Sequence, residues 1–292
     1  MRRAWLIYGQ EDAKKNKWYI EEFIKEAEKR DVKMELLLTE EMTFGVKDGN
    51  WFITYKGKVP KNPDFAVVRT IYPMLSRHLE YCKIPVFNNA KMAEICNDKA
   101  RTYQYIAKMD IPIIDTAFHR KQELDRILFS IEEDTVVKAV AGHGGSQVFL
   151  VTKDTTKERR EEIKEALASD FVRQPLTGRK HQDLRVYVLG NEILACVLRT
   201  AKEGFKSNFS LGGHVERYEL SDSQREVVHK VMELFDIGLA GIDFLIGDDG
   251  NLIFNEVEDV VGARMLYQCM PDINLVGRYL DYILNRLNIN LS

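Results

Sequence analysis

The chain has 292 residues, 45% of them hydrophobic and 30% charged, with a formal net charge of -3. That length supports two or three units with cores of their own, and the interspersed acids and bases argue against a nucleic-acid binder or a membrane-surface stripe. No run approaches about 18 apolar residues, and Met-Arg-Arg-Ala leads straight into a strand-like stretch, so no membrane span or signal peptide is expected and the expected location is cytoplasmic.

In chain order, AWLIYG (4–9) reads as a strand, Lys17 to Arg30 as an amphipathic helix, and Met34 to Leu38 and Ala66 to Arg69 as further strands. Between them WFITYKGKVP reads as a hairpin insertion. Tyr72 to Tyr81 forms a helix and Pro85 to Asn88 a strand, which completes an open α/β sheet. Asn97 is a suitable N-cap for a helix through Met109, which must stop before Ile111-Pro112. A helix near Gln122 to Ser130 precedes two strands, TVVKAV and QVFLV, joined by AGHGGS.

Pro175 interrupts the next strand, FVRQPL, and DLRVYVLGNEILACVLRT reads as a hairpin turning at Gly190-Asn191. Ser221 to Gln224 is a capping box for a helix to Phe235, with Val227, Val228, Val231, Met232 and Phe235 on one stripe. An acidic hairpin follows, and Leu275 to Leu287 is a closing helix whose apolar stretch serves a core or a homodimer contact. Cys82, Cys96, Cys196 and Cys269 lack metal or disulfide spacing and read as core thiols, and the six histidines show no HxH or HxxxH pairing.

The hairpin AGIDFLIGDDGNLIFNEVEDVVGAR carries Asp243, Glu256 and Glu258 inside apolar runs. Strand alternation puts Leu252, Phe254, Glu256 and Glu258 on one face, with Asp243 in reach from the neighbouring strand. Converging carboxylates need a positive partner, and a hard divalent cation is the simplest; the alternative is a hairpin whose acids face water. Lys138, apolar on both sides, either lines a cleft and meets an anion or reaches the strand end to escape into water. The loop Ala141, Gly142, His143, Gly144, Gly145 and Ser146 joins two strands, so it is neither a Walker A loop nor a dinucleotide fingerprint. Its glycines could aim N–H groups at phosphate oxygens, or simply make a hairpin tip. Arg69, at a strand's carboxyl end, is a candidate substrate contact, with a solvated loop residue as the alternative.

Together these stretches resemble the ATP-grasp superfamily, in the carboxylate–amine ligase branch that includes the ribosomal-protein glutamate ligases. NDKARTYQYIAKMDIPIIDT is similar to the helix that opens the central domain and makes Lys99 a phosphate lysine. VVKAVAGHGGSQVFLV is similar to the second lysine strand and phosphate loop, which gives those roles to Lys138 and residues 142–146. FVRQPL corresponds to the adenine hinge, implying Arg173, Gln174 and Leu176, read through the main chain. DLRVYVLGNEILACVLRT followed by GFKSNFSLGG points to Arg185, Arg199 and Asn208 as catalytic residues and to Lys206 at the nucleotide. GIDFL…FNEVE resembles the metal strands, with Asp243, Glu256 and Glu258 as ligands.

Four departures bear on the substrate: Glu256-Val257-Glu258-Asp259-Val260-Val261-Gly262 replaces an ExN motif and Ser-Pro-Gly turn, Leu198 precedes Arg199, Leu211 stands before the Gly-Gly, and the hinge reads Gln174-Pro175.

The resemblance implies a three-domain ATP-grasp fold. Its parts are an N-terminal parallel α/β domain (1–96), a central α+β lid (97–173) and a C-terminal α+β domain with a mainly antiparallel sheet (174–292). It implies ATP and two Mg2+ or Mn2+ ions, and joining of a small or peptide carboxylate to an amine, such as an amino acid, through an acyl phosphate. Arg185 and Arg199 would hold the carboxylate by forked hydrogen bonds. No nucleic acid or membrane partner is expected. A phosphotransferase of the same fold and a non-catalytic nucleotide-binding regulator are the alternative functions.

Overall fold

The structure, a computed structural model, describes residues 1–178, 182–201 and 214–289. The first part contains β1 (Arg2–Tyr8), α1 (Gln10–Lys15), α2 (Lys17–Glu28), β2 (Val32–Leu38), β3 (Met42–Lys47), β4 (Asn50–Tyr55), β5 (Phe65–Val68), α3 (Pro73–Tyr81) and β6 (Val86–Phe87). Four of these strands form a parallel sheet in the order β2-β1-β5-β6. Alternation along β1 sends Ala4, Leu6 and Tyr8 into one core and Trp5 and Ile7 into another, so the sheet is buried on both faces.

The insertion is a hairpin, but its first strand lies earlier than expected. Lys47 pairs with Asn50 around Asp48-Gly49, both at positive φ, and WFITY is the second strand. Asp-Gly is the dipeptide that such a two-residue turn selects.

Next come α4 (Ala90–Cys96), α5 (Lys99–Ile106), β7 (Ala117–His119), α6 (Leu124–Phe129), β8 (Thr135–Ala139), β9 (Val148–Val151), α7 (Lys157–Ala166) and β10 (Phe171–Pro175). The expected single helix after Asn97 is the second of a pair. Asn89 caps α4 and Asp98 caps α5, each accepting a hydrogen bond from the backbone N–H three residues on. Asn97 instead donates to Asp259 Oδ1 at 2.9 Å. The antiparallel sheet β7-β10-β8-β9 packs one face on α6 and α7 through Val137, Ala139, Phe171, Leu128 and Ile163. α4 and α5 pack elsewhere, with Met92, Tyr103 and Ile106 in the core of the third sheet.

That third sheet is built from β11 (Gln182–Leu189), β12 (Glu192–Thr200), β13 (His214–Arg217), β14 (Leu239–Ile246) and β15 (Leu252–Glu258), antiparallel in the order β13-β12-β11-β14-β15. The accompanying helices are α8 (Asp222–Met232), α9 (Arg264–Cys269) and α10 (Leu275–Ile289), and the capping box at Ser221 and Gln224 is formed. One face of the sheet packs on α4, α5 and α8. The other packs on the N-terminal sheet and α10, where Tyr279, Leu280 and Ile283 are buried, so the closing helix serves the core. Cys96 and Cys196 are buried and all four thiols are free. Among the described residues no helix is long and apolar enough to cross a membrane.

Candidate active site

The acidic strands pair with Asp243 opposite Glu256 and Gly241 opposite Glu258, and the register slips between Asp243 and Phe244. Phe244 pairs with Phe254, so Asn255 is the unpaired residue of a bulge. This corrects the expected alternation. The extra residue reverses the parity: Val257 joins Leu252 and Phe254 in the core, and Glu256 and Glu258 project together from the opposite face.

On that face the acids meet protein cations. Arg185 forks onto Asp243, Nε to Oδ1 at 2.8 Å and Nη2 to Oδ2 at 2.7 Å, and Nη2 also reaches Glu258 Oε1 at 2.6 Å. Arg199 donates through Nε and Nη2 to Asp183, and Nη2 also reaches Asp243 Oδ2 at 2.9 Å. Arg185 is 5% exposed, Arg199 3% and Asp243 4%. Burial would push the Asp243 carboxyl up, but the two guanidiniums hold it well below the ordinary range. Burial does raise Asp183 and Glu258, against the arginines beside them.

Two expectations change here. The positive charge between the carboxylates is arginine and lysine, and among the described residues no three His, Cys, Asp or Glu side chains are grouped to hold a metal ion. Both Asp243 oxygens are occupied by guanidinium donors. Glu256 and Glu258 each form their ion pair through Oε1 and keep side chains 24% and 32% exposed. Their hard oxygen donors fit a divalent cation, whereas Asp243 in this arrangement does not. The arginine forks, expected on a substrate carboxylate, are engaged by Asp183 and Asp243. Asp183 was missed by sequence reasoning, although it stands two residues before Arg185 and pairs in register with Arg199.

Lys99 opens α5 and reaches across to the third sheet, donating to Glu256 Oε1 at 2.8 Å and to the Gly142 carbonyl at 2.6 Å. It thereby ties the glycine loop to the acidic strand. Lys138, on the face of β8 turned from α6 and α7, donates to Asn255 Oδ1 at 2.9 Å. Among the described residues it has no carboxylate within ion-pair distance. Burial lowers its pKa to about 8, opposed by Glu256 and assisted by Lys99. The bulge that aims Asn255 gives Lys138 a neutral partner, and sequence reasoning had no signal for it.

In the loop, Gly144 and Gly145 have positive φ, and Ser146 Oγ donates to the His143 carbonyl at 3.0 Å. At Gly142 a Cβ would lie 3.1 Å from Gln147 Cβ and 3.3 Å from the Ala139 carbonyl, so the turn is built close to its own strand. Burial and then Lys99 lower the His143 pKa.

At the hinge, Gln174 falls on the Lys138 face and is buried, donating to Thr116 Oγ1 at 2.8 Å while its Oε1 has no partner in the protein. Arg173 falls on the opposite face and lines an open cavity of about 630 Å³ with Glu133, Asp134 and Pro175. Any role of Arg173 toward the Lys138 face is left to its main chain. Pro175 has no N–H, and the N–H of Leu176 donates to the Asp134 carbonyl at 3.0 Å, so donors to a base must come from elsewhere on the hinge. Lys206 and Asn208 lie outside the described residues.

The RimK-like ATP-grasp domain family model matches residues 96–283, well over half of the chain. The chain belongs to that family. It is 26% identical over 294 residues to the uncharacterized protein MG011 of Mycoplasma genitalium, covering 98% of this chain and 93% of that one. To human N-acetylaspartylglutamate synthase A it is 26% identical over 276 residues, covering 88% and 69%. The structure of ATP-grasp ligase PsnB complexed with a phosphomimetic variant of its minimal precursor, Mg and ADP superposes with a TM-score of 0.68 at 16% identity, covering 97% and 98%. At that identity the likeness shows the fold alone, and the fold is ATP-grasp.

Proposed function

We propose that the protein is an ATP-dependent ligase that joins a carboxylate to an amine. The observation that carries this reading is Lys138: a desolvated cation whose partner is the neutral Asn255, the residue before Glu256, while Glu256 and Glu258 each form their ion pair through one oxygen. A lysine in that state favours an anion strongly, and the neighbouring acids rule out a simple carboxylate alone. A nucleotide polyphosphate carrying a divalent cation satisfies both halves. The relatives agree: N-acetylaspartylglutamate synthase A and PsnB are, respectively, a synthase and a ligase, and the latter holds Mg and ADP.

In this reading Lys99, Lys138 and the main chain of residues 142–146 hold the phosphates, and the hinge from Arg173 to Leu176 takes the base. Glu256 and Glu258 would hold Mg2+ or Mn2+, which would supply positive charge to phosphate oxygens. Two ions is the expected number, and a Mn2+ titration counts them. A substrate carboxylate oxygen bonds to the γ-phosphorus as the bond to ADP breaks. The amine nitrogen then bonds to the acyl carbon, losing a proton, and phosphate leaves. Arg185 and Arg199, fixed by Asp183 and Asp243, present preorganised positive charge to the oxyanion. We also propose that the lid comprises residues 115–175, because Tyr103, Ile106 and Ile114 belong to the C-terminal core and Ile113 bridges to Phe254 of β15.

The test is ADP release from ATP with Mg2+ over a panel of acids with and without amines. Release that needs both an acid and an amine supports the ligase. Release with a stable phosphorylated product favours a phosphotransferase, and binding without release defeats both.

A further inference from the structure

The two cleft lysines are partnered differently. Lys99 is engaged through both its main chain and its side chain: its N–H donates to the Val140 carbonyl at 2.9 Å, and its ammonium donates to the Gly142 carbonyl and to Glu256 Oε1. These bonds pin the chain just after β8 to the start of α5. Lys138, two residues before Val140, has one hydrogen-bond acceptor among the described residues, Asn255 Oδ1 at 2.9 Å.

The buried cations around the third sheet otherwise have carboxylates beside them. Arg185 and Arg199 fork onto Asp243 and Asp183. Arg69 is 8% exposed rather than solvated; it donates to the Val261 carbonyl at 2.7 Å, and its charge opposes the rise that burial causes in the Asp259 carboxyl. Lys138 differs. Glu256 follows Asn255 directly in the chain, yet its ion pair is with Lys99, and Lys138 is left to the amide.

The backbone explains how the amide comes to be there. Phe254 pairs with Phe244 and Glu256 with Asp243, so Asn255 is the extra residue of the bulge on β15, the edge strand of the third sheet. A bulge re-aims a side chain, and this one lets Asn255 reach β8 of the lid sheet, 117 residues away in the chain. Lysine offers only donors, so the amide must present its oxygen, which fixes the orientation of both side chains.

The choice of an amide has an electrostatic consequence. A lysine stem is flexible, and without an acceptor its ammonium would be spread over several rotamers. A carboxylate would hold the ammonium but cancel its charge and repel a phosphate. An amide oxygen holds it and leaves the charge whole. We infer that Asn255 is a positioning residue: it fixes the Lys138 ammonium in the cleft with its charge uncancelled, ready for a phosphate group of the nucleotide. The inference rests on the ligase reading for the identity of that ligand.

The test is calorimetric titration of the full chain with ADP and with adenosine in EDTA. EDTA keeps metal binding at Glu256 out of the measurement, and adenosine reports the part of the site that meets no phosphate. In Asn255→Leu, ADP should bind about tenfold more weakly and adenosine as before. In a Lys138→Met background the same change should alter ADP affinity by less than about twofold, because the amide acts through the lysine. Asn255→Asp, of the same shape, should also weaken ADP about tenfold, and thermal melts verify that both variants fold. An Asn255→Leu effect that persists beside Lys138→Met, or that falls equally on adenosine, overturns the inference, as does an Asn255→Asp chain that binds ADP like the parent. So does a parent chain that holds ADP no tighter than adenosine. Coupling of Asn255 to Lys138 without acid-dependent ADP release keeps the inference and defeats the ligase reading, whereas such release with additive effects of the two changes does the reverse.

Discussion

Arg185 and Asp243 face each other in register across β11 and β14 and are joined by a two-point fork of 2.8 and 2.7 Å in a buried setting. Asp243 also receives Arg199, so one carboxylate balances much of two guanidiniums. Removing one member of such an array leaves a buried charge uncompensated. Asp243→Ala is therefore expected to destabilise the fold by about 3–5 kcal/mol, measured by denaturant unfolding. Combining it with Arg185→Met should cost less than the sum of the two single changes, and strict additivity would show that the fork contributes little.

The same carboxylate sets an acid limit. Because its pKa is depressed in the folded state, its contribution is complete above the ordinary aspartate range and is lost as pH falls through the folded value. Unfolding midpoints recorded from pH 6 down to the acid range should fall less steeply in Asp243→Asn than in the parent chain.

Lys138 works in the opposite sense. Its pKa is lowered from 10.5 to about 8, so its contribution to stability is greatest above 10.5 and declines as pH falls toward 8. At neutral pH the charged form is a burden, and Lys138→Met is expected to stabilise the free protein by about 1–3 kcal/mol while weakening nucleotide binding at least tenfold. In the parent chain, nucleotide affinity should fall as pH rises above 8. A pH-independent affinity measured by fluorescence titration would remove Lys138 from the phosphate site.

Glu256→Gln should leave the fold intact, since the residue is partly exposed and Lys99 keeps the Gly142 carbonyl. Mn2+ affinity, read by electron paramagnetic resonance, should drop at least tenfold. Unchanged Mn2+ binding in both Glu256→Gln and Glu258→Gln would place the metal elsewhere.

Much of this arrangement was legible in the sequence, and what was not has identifiable causes. The lysine strand, the glycine loop, the Gly190 hairpin and the acidic strands follow from local pattern and turn chemistry, which act over a few residues. The bulge at Asn255 is a register event between two strands, invisible to alternation along one of them, and it decides which way Glu256 and Glu258 point. Asp183 and Arg199 become partners only through pairing of β11 with β12. Likewise Asp98 displaced Asn97 as the cap because Asn97 is recruited by Asp259, distant in the chain.

A second loop prediction separates conformation from space. Gly142→Ala must push against the Ala139 carbonyl and Gln147, whereas Gly144→Ala meets nothing and costs only its positive φ, about 1 kcal/mol. Gly142→Ala should weaken nucleotide binding more than Gly144→Ala; the reverse order would mean that the loop's Lys99-anchored end is not the part that approaches phosphate.

The most direct test of the ligase reading is to incubate the protein with Mg2+, ATP, single carboxylic acids and hydroxylamine, and to assay hydroxamate together with ADP. The account predicts stoichiometric hydroxamate and ADP with a restricted set of acids, abolished by Glu256→Gln and by Lys138→Met. ADP formed with those acids but without hydroxamate, and with a stable phosphorylated acid instead, would contradict it.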